Sequence, residues 1–447
     1  MEKVLVVGSG LSGRSAHDYL KNKGYHVTFA SQEEINSKQL SNEKLDRLFS
    51  GLSFIVTSPG VSPKIHLLKE AKKRKIKIVG EFELGSSKLN GNIIAVTGTN
   101  GKTTTVSLIS FLLKEHDSNV FVGGNIGVAV TSFCNKTQND DISVLECSSF
   151  QLESIKNFHP HIACILNITE DHLNRHVSMK NYISCKNKIT KNQTSNDFLL
   201  LNFDDELVMK NHPKTKAKIF YFSTKTKVVG CYLKRNDIYF NDSLNEKKLI
   251  SLKNLKLVGE HNLSNVLCAV LAVFLETKNT KHLKTVCNFE GVPHRIEYVQ
   301  TVQGVAFFND SKATNIDSSL VALKSFECNI NLILGGSDKG YNFDKLFEKM
   351  PKNVKNIAVF GETKHKIAVS AKKYGFKNFY LCDNLKSATH LCYELSKPKE
   401  IVLLSPACAS FDFFNNYEER GNFFKKIVKE IFDDENALFK SSKMSQN

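Results

Sequence analysis

Residues Gly98-Thr99-Asn100-Gly101-Lys102-Thr103-Thr104 set two glycines, a lysine and hydroxyls between an apolar run, Ile93-Ile94-Ala95-Val96, and a segment of helical periodicity. Glycines let backbone N–H groups face phosphate oxygens, the start of the following helix adds partial positive charge, and Lys102 adds a full one. Thr103 is placed to put its hydroxyl on Mg²⁺. The pattern predicts a site for a nucleoside triphosphate and is silent about the use of its phosphoryl group. Downstream, Glu146 ends the apolar run Ile142–Leu145, and a second run, Ile162–Ile168, leads into Thr169-Glu170-Asp171-His172. Open α/β sheets bind ligands at the carboxyl ends of their strands, and a hard cation takes oxygen ligands, so these ends are expected to form a metal–nucleotide site.

These residues need a sheet to hold them. Three times a short β-branched run ends in a turn and passes into a helix-period segment, which predicts three α/β units. The first opens with Val4–Val7, turns at Gly8-Ser9-Gly10-Leu11-Ser12-Gly13 and continues to a strand at His26–Phe29. The second holds the phosphate loop. The third follows Pro293-His294-Arg295, with strands at Val305–Phe308, Asn331–Leu334, Ile357–Phe360 and Ile401–Leu404. We place domains at 1–88, 89–292 and 293–447: a Rossmann-like N-terminal domain, a central ATPase-like domain with a mainly parallel sheet, and a Rossmann-like C-terminal domain. The polar, lysine-rich stretch 192–256 reads as a surface subregion of the middle domain. Gly8, Gly10 and Gly13 match a dinucleotide fingerprint, but the second strand runs out at Ala30-Ser31-Gln32 with no acidic residue for a ribose. The turn therefore suits another phosphate or diphosphate better than a nicotinamide cofactor.

Composition bounds the reading. A chain of 447 residues, 41% hydrophobic, exceeds the roughly 250–300 residues that one core serves. No leader-like or membrane-spanning run is seen, so a soluble, cytoplasmic protein is expected. The 11 cysteines include no Cys-x-x-Cys pair, which points to reduced, buried thiols. A net charge of +16 favours anionic partners, but the lysines are dispersed with no aromatic-interleaved basic stripe, so no nucleic-acid partner is expected. The densest run, Lys72-Lys73-Arg74-Lys75 with Lys77, reads as a solvated helix face.

The phosphate loop, the Glu146 segment, Asn167–Leu173, and Gly259-Glu260-His261-Asn262 with Asn265 together resemble the central domain of the Mur ligase and folylpolyglutamate synthase superfamily. Tyr182-Ile183-Ser184-Cys185-Lys186 is similar to the segment that carries a carbamylated lysine there, which implies CO₂ uptake by Lys186, with Lys188 the nearest alternative. Asn309-Asp310-Ser311-Lys312-Ala313-Thr314-Asn315 and Ser405–Asp412 followed by Tyr417–Gly421 resemble the D-glutamate-adding branch. The resemblance implies an ATP-dependent ligase that joins D-glutamate to UDP-N-acetylmuramoyl-L-alanine through an acyl phosphate, in peptidoglycan synthesis. Another amino-acid-adding ligase of the superfamily is the alternative.

The resemblance also implies roles. Lys102, Glu146, His172 and Lys186 would be catalytic, and Thr103, Glu146, His172 and carbamylated Lys186 would hold two Mg²⁺ ions. Gly98 to Thr104, Asn262, Asn265, Arg295 and Asp310 would hold ATP. Leu11, Ser12, Ser58, Gly60 and Asn125 would contact the UDP substrate. Ser311 and Lys312 would contact substrate, and Thr314, Lys339, Ser410, Phe411 and Tyr417 would hold D-glutamate. A monomer is expected.

Overall fold

Val4, Leu5, Val6 and Val7 are apolar without alternation, as a parallel strand covered on both faces requires, and all four are buried. They belong to β1 (Lys3–Val7), the inner strand of a parallel sheet with β2 (His26–Phe29), β3 (Leu52–Thr57) and β4 (Lys77–Gly80), in the order β2-β1-β3-β4. Chain direction across the sheet reverses between β1 and β3. That crevice sets the Gly8 turn beside Ser58, whose Oγ donates to the Gly8 carbonyl at 3.2 Å. The structure is a computed structural model describing residues 1–257 and 259–444, with side chains described except at Asn174, Glu260, His261 and beyond 436. Glu260 and His261 of the Gly259–Asn262 motif therefore lie outside the described side chains.

The second sheet has nine strands: β5 (Asn92–Thr97), β6 (Val120–Gly124), β7 (Ile142–Glu146), β8 (Ile162–Ile165), β9 (Phe198–Asn202), β10 (Lys218–Ser223), β11 (Gly230–Lys234), β12 (Asp237–Asn241) and β13 (Glu246–Ser251). Their order is β13-β12-β11-β10-β9-β8-β5-β7-β6. Pairs from β6 to β11 are parallel and β11-β12-β13 are antiparallel. The lysine-rich stretch thus extends the central sheet through β9–β13. The helix Lys102–Lys114 buries Val106, Leu108, Ile109, Leu112 and Leu113.

The third sheet contains β14 (Glu297–Val302), β15 (Val305–Asn309), β16 (Ile330–Gly335), β17 (Val354–Phe360), β18 (Phe379–Leu381) and β19 (Ile401–Leu404), ordered β14-β15-β19-β16-β17-β18. Only β14 runs antiparallel to its neighbour. Apolar layers cover both faces, one built on Leu332, Leu334 and Leu403, the other on Ile333, Val402, Leu404 and Phe424.

The chain forms two compact units: Met1–Leu255 with Leu263–Phe289, and Lys256–Asn262 with the chain from Glu290 onward. The first two sheets share one unit, tied by the helix Glu81–Ser86. Glu83 accepts from the Asn157 and Phe158 amides at 2.7 and 3.3 Å, and Glu81 accepts from the Thr131 amide and hydroxyl at 3.0 and 2.9 Å.

One element departs from the sequence reading. The run Ile162–Ile168 is a strand only as far as Ile165. Beyond it, the Asn167 side chain accepts from the Asn100 amide at 2.8 Å and donates to the Asn100 carbonyl at 3.0 Å, while the Ile168 amide donates to Asp205. These side-chain bonds turn the backbone out of the sheet to brace the phosphate loop. His172 therefore sits not at a strand end but in a left-handed conformation, φ 54°, before the short helix Leu173–His176.

Candidate active site

The phosphate loop leaves β5 through Gly98 and enters its helix at Gly101, with φ of 155° and 83°, backbone that side chains rarely adopt. A Cβ on Gly101 would collide with the Asn265 amide. No side chain caps the helix at Gly101, so its first N–H groups are directed at the loop. Lys102 folds over the loop, donating from Nζ to the carbonyls of Gly98 at 2.9 Å and Thr99 at 2.8 Å. Thr99 braces the far side through Thr169 and the Tyr182 hydroxyl, 3.1 Å away. Thr104 is buried, and Asn265 accepts from Thr105 at 3.3 Å. Asn262 and Asn265 are both buried on the helix Glu260–Thr277.

Glu146, the last residue of β7, is buried and receives Thr103 Oγ1 on Oε2 at 2.8 Å and Asn125 Nδ2 on Oε1 at 2.8 Å. β7 is the neighbour of β5, which brings a carboxylate from the next strand end against the first hydroxyl of the loop helix. Two hard oxygens side by side at a phosphate-binding helix suit a magnesium ion. Among the described residues no group of three or more His, Cys, Asp or Glu side chains converges as a metal cage. Magnesium keeps waters and phosphate oxygens as ligands and needs no such cage.

Lys186 lies on the helix Met179–Asn187 with 1% of its surface exposed. Its Nζ donates to the Gly98 carbonyl at 2.7 Å and stands 4.5 Å from the Tyr182 ring centroid. Burial, reinforced by the charge of Lys102, holds its pKa well below the usual lysine value. A neutral amine is the form that can take up CO₂. Lys188 donates instead to the Glu153 carbonyl at 2.8 Å. His172 is half exposed, with Nε2 3.5 Å from Asp171 and its ring 4.8 Å from Phe150.

In the second unit, Asp310 follows β15 and is buried. Burial raises its pKa to about 7 against the opposing charge of Arg295, and Ser405 donates to it at 2.8 Å. Ser311 is wholly buried: its hydroxyl donates to the Tyr417 carbonyl at 2.8 Å and accepts from Arg420 Nε at 3.0 Å. That hydroxyl is committed to the protein, so Ser311 holds its loop rather than offering its side chain to a ligand. Lys312 Nζ lies 5.4 Å from the Tyr417 ring centroid, and Thr314 is partly exposed nearby in sequence. Ser410 is buried, Phe411 is 73% exposed, and Lys339 is exposed after β16. Ser337, two residues before Lys339, bridges to Ala409, which draws that loop beside Ser410.

Residues 96–273 match the Mur ligase middle domain, and residues 294–408 match the Mur ligase, glutamate ligase domain. A UDP-N-acetylmuramoylalanine–D-glutamate ligase of Lachnoclostridium phytofermentans is 41% identical over 97% of this chain and 99% of its own. Its namesake from Koribacter versatilis is 38% identical over 97% and 98%. The chain belongs to the Mur ligase family. Solved structures share the fold: the UDP-N-acetylmuramate–alanine ligase of Thermotoga maritima superposes with a TM-score of 0.60 at 18% identity, covering 96% of this chain and 99% of that one. A Mur ligase of the same organism solved with ADP gives 0.58 at 19% identity, covering 86% and 90%.

At the first sheet of this Mur ligase, Gly10 starts the helix Leu11–Asn22 with no side-chain cap, leaving N–H groups at Leu11 and Ser12 directed outward. Leu11 is 81% exposed. A Cβ on Gly13 would strike the Gly8 carbonyl, and Gly60 follows Ser58-Pro59 in the adjacent turn. Ser31, just past the end of the second strand, caps the helix Gln32–Asn36 in a reciprocal box with Glu34. Three residues inside the quoted segments of this Mur ligase carry no role in the sequence reading, yet they organise the site. Asn167 clamps the phosphate loop. Tyr182 stands against both Thr99 and Lys186. Arg420, wholly buried, donates to Ser311 and to the carbonyls of Cys408 and Ala409, joining the two C-terminal signatures. A polar side chain inside a recognised segment was the available signal for Arg420 and for Asn167 alike.

Proposed function

We propose that this Mur ligase adds D-glutamate to UDP-N-acetylmuramoyl-L-alanine with hydrolysis of ATP to ADP and phosphate, in peptidoglycan synthesis. The observation that carries the reading is full-length similarity near 40% to ligases bearing that name, joined to a phosphate loop whose Thr103 hydroxyl meets the Glu146 carboxylate at 2.8 Å. We assign residues 1–88 to the UDP substrate, 89–292 to ATP and 293–447 to D-glutamate. The protein is assigned to the cytoplasm as a monomer.

A carboxylate cannot form an amide at neutral pH until one oxygen becomes a leaving group. In this reading the substrate's alanyl carboxylate takes the γ-phosphoryl group, giving an acyl phosphate and ADP. The D-glutamate amine then attacks the acyl carbon, and the tetrahedral intermediate expels phosphate. Lys102 leaves the loop carbonyls to neutralise the transferring oxygens, and the uncapped helix start at Gly101 holds the β-phosphate. Thr103 and Glu146 would hold one magnesium ion; His172 and carbamylated Lys186 would hold a second. When bound, these ions neutralise phosphate charge and orient the attacking carboxylate. Asn125 steadies Glu146 while facing the muramoyl end of the substrate. Leu11, Ser12, Ser58 and Gly60 form the UDP turn; Asn262, Asn265, Arg295 and Asp310 serve ATP. Lys312, Thr314, Lys339, Ser410, Phe411 and Tyr417 receive D-glutamate, with Ser311 holding the loop in place.

Phosphate release from purified protein with ATP, Mg²⁺ and UDP-N-acetylmuramoyl-L-alanine tests this. Release is expected only when D-glutamate is added. Release with another amino acid in its place would reassign the third domain, and silence with every amino acid would overturn the function.

A further inference from the structure

Within the first unit, a cavity of about 620 Å³ opens between the outer strand β4 with the helix His66–Lys73 and the short helix Ser149–Glu153. One wall carries Lys72, Lys75 and Lys77; the facing wall carries Lys156, Arg175 and Lys191. Its floor is apolar, from Leu68, Ile78 and Ile155. Of the residues assigned above to the UDP substrate it shares only Ser58: neither the Gly8–Gly13 turn nor Asn125 lines it.

The charges in this cavity do not balance. Its carboxylates are Glu81 and Glu153. Burial raises the pKa of Glu81, whose Oε1 is held by Thr131, and Glu153 pairs with Arg175 at 2.9 Å. Lys191 reaches the Ile155 carbonyl at 3.4 Å. Among the described residues Lys72, Lys75, Lys77 and Lys156 form no ion pair, although lysines elsewhere on this chain reach acids freely, as Lys73 reaches Glu70 at 2.6 Å. Arg175 is held on the lining by Glu153 and by the Phe150 ring, 4.9 Å from its guanidinium carbon, so its charge is fixed in place at the cavity. Cations that line one cavity repel one another and draw an anion between them. The apolar floor adds a requirement that a bare anion does not meet.

We propose that this cavity binds a phosphate or diphosphate ester of an apolar or aromatic group, its anionic end on the two lysine walls and its body on the Leu68–Ile78–Ile155 floor. Such an ester comes either from prenyl chemistry or from a nucleoside. Because Ser58 lies in both the cavity and the UDP turn, occupancy shifts KM for the UDP substrate; that consequence rests on the proposed function, whereas the binding does not.

The test is calorimetric titration of the full chain, without ATP or amino acid, using geranyl diphosphate, adenosine monophosphate and inorganic phosphate in turn. One ester is expected to bind with unit stoichiometry and more tightly than inorganic phosphate. In the triple variant Lys72→Glu, Lys75→Glu, Lys156→Glu that binding weakens by about tenfold or more, since each 1.4 kcal/mol is a factor of ten. The corresponding arginine variant keeps it, and circular dichroism and unliganded turnover stay as in the parent. Tighter geranyl diphosphate assigns a prenyl source, and tighter adenosine monophosphate a nucleoside source. Ester binding that the glutamate variant leaves unchanged lies elsewhere and overturns the proposal. So does binding no tighter than inorganic phosphate, or none. If the glutamate variant does not fold, the glutamine variant is titrated against the same criteria.

Discussion

Two buried ionisable side chains give this protein its sharpest residue-level expectations. Asp310 titrates near 7 instead of 3.8, because burial disfavours its charged form. The folded state therefore keeps the proton over an interval in which the unfolded chain has released it, and stability falls as pH rises from about 4 to about 7. Asp310→Asn fixes a neutral side chain. The difference in urea midpoint between parent and variant should change steadily across that window and level off above it. Lys186 is shifted the other way for the same reason, its ammonium disfavoured by burial and by Lys102. With ¹³C-labelled bicarbonate the parent should show a carbamate carbon resonance that Lys186→Met lacks. Its turnover should fall in CO₂-depleted buffer and recover on adding bicarbonate. A rate indifferent to bicarbonate would remove the carbamate from the proposed site.

Among the elements, the helix Glu81–Ser86 fastens the first sheet to the second. Its Glu83 is 3% exposed and accepts two backbone amides from residues 157 and 158. Glu83→Ala removes the acceptor of both N–H groups and leaves that of the buried Phe158 without a partner, an expected loss of about 1–3 kcal/mol. Glu83→Gln keeps one acceptor oxygen and should lose less. Urea unfolding measures both, and the ATP-binding loop should be unaffected in either. A similar logic explains why β8 ends at Ile165. Asn167 gives its side chain to the backbone of Asn100, so the chain leaves the sheet where the phosphate loop needs support.

For the whole molecule, two compact units sharing one chain predict unfolding that departs from a single two-state transition. ATP with Mg²⁺ at about 100 times its dissociation constant should stabilise the unit that holds the phosphate loop by about 2.7 kcal/mol. Scanning calorimetry should show that transition move upward in the parent and stay in place for Lys102→Ala. A shift that survives the substitution would place the nucleotide elsewhere. Among the described residues no helix is long and apolar enough to cross a membrane. Cysteines are free and mostly buried, consistent with their use as small apolar side chains.

The sequence by itself determined the inner, unbroken apolar strands such as Val4–Val7 and Ile401–Leu404, the phosphate loop and the family, because these depend on local patterns: apolar runs, glycines at turns, and contiguous signatures such as Asn309–Asn315. It also singled out Lys102, Thr103, Glu146 and Lys186. What it could not supply was anything made by pairing distant segments. Thr103 meets Glu146 because β5 and β7 are neighbours, and Lys186 reaches Gly98 across 88 residues. Arg420 joins loops that lie far apart in the chain, and the lysines of residues 72–77, read as a solvated helix face, line a cavity only because the segment at 149–156 packs opposite them. Side-chain hydrogen bonds and unbalanced charge are properties of neighbours in space, and a linear pattern carries no record of which neighbours those are.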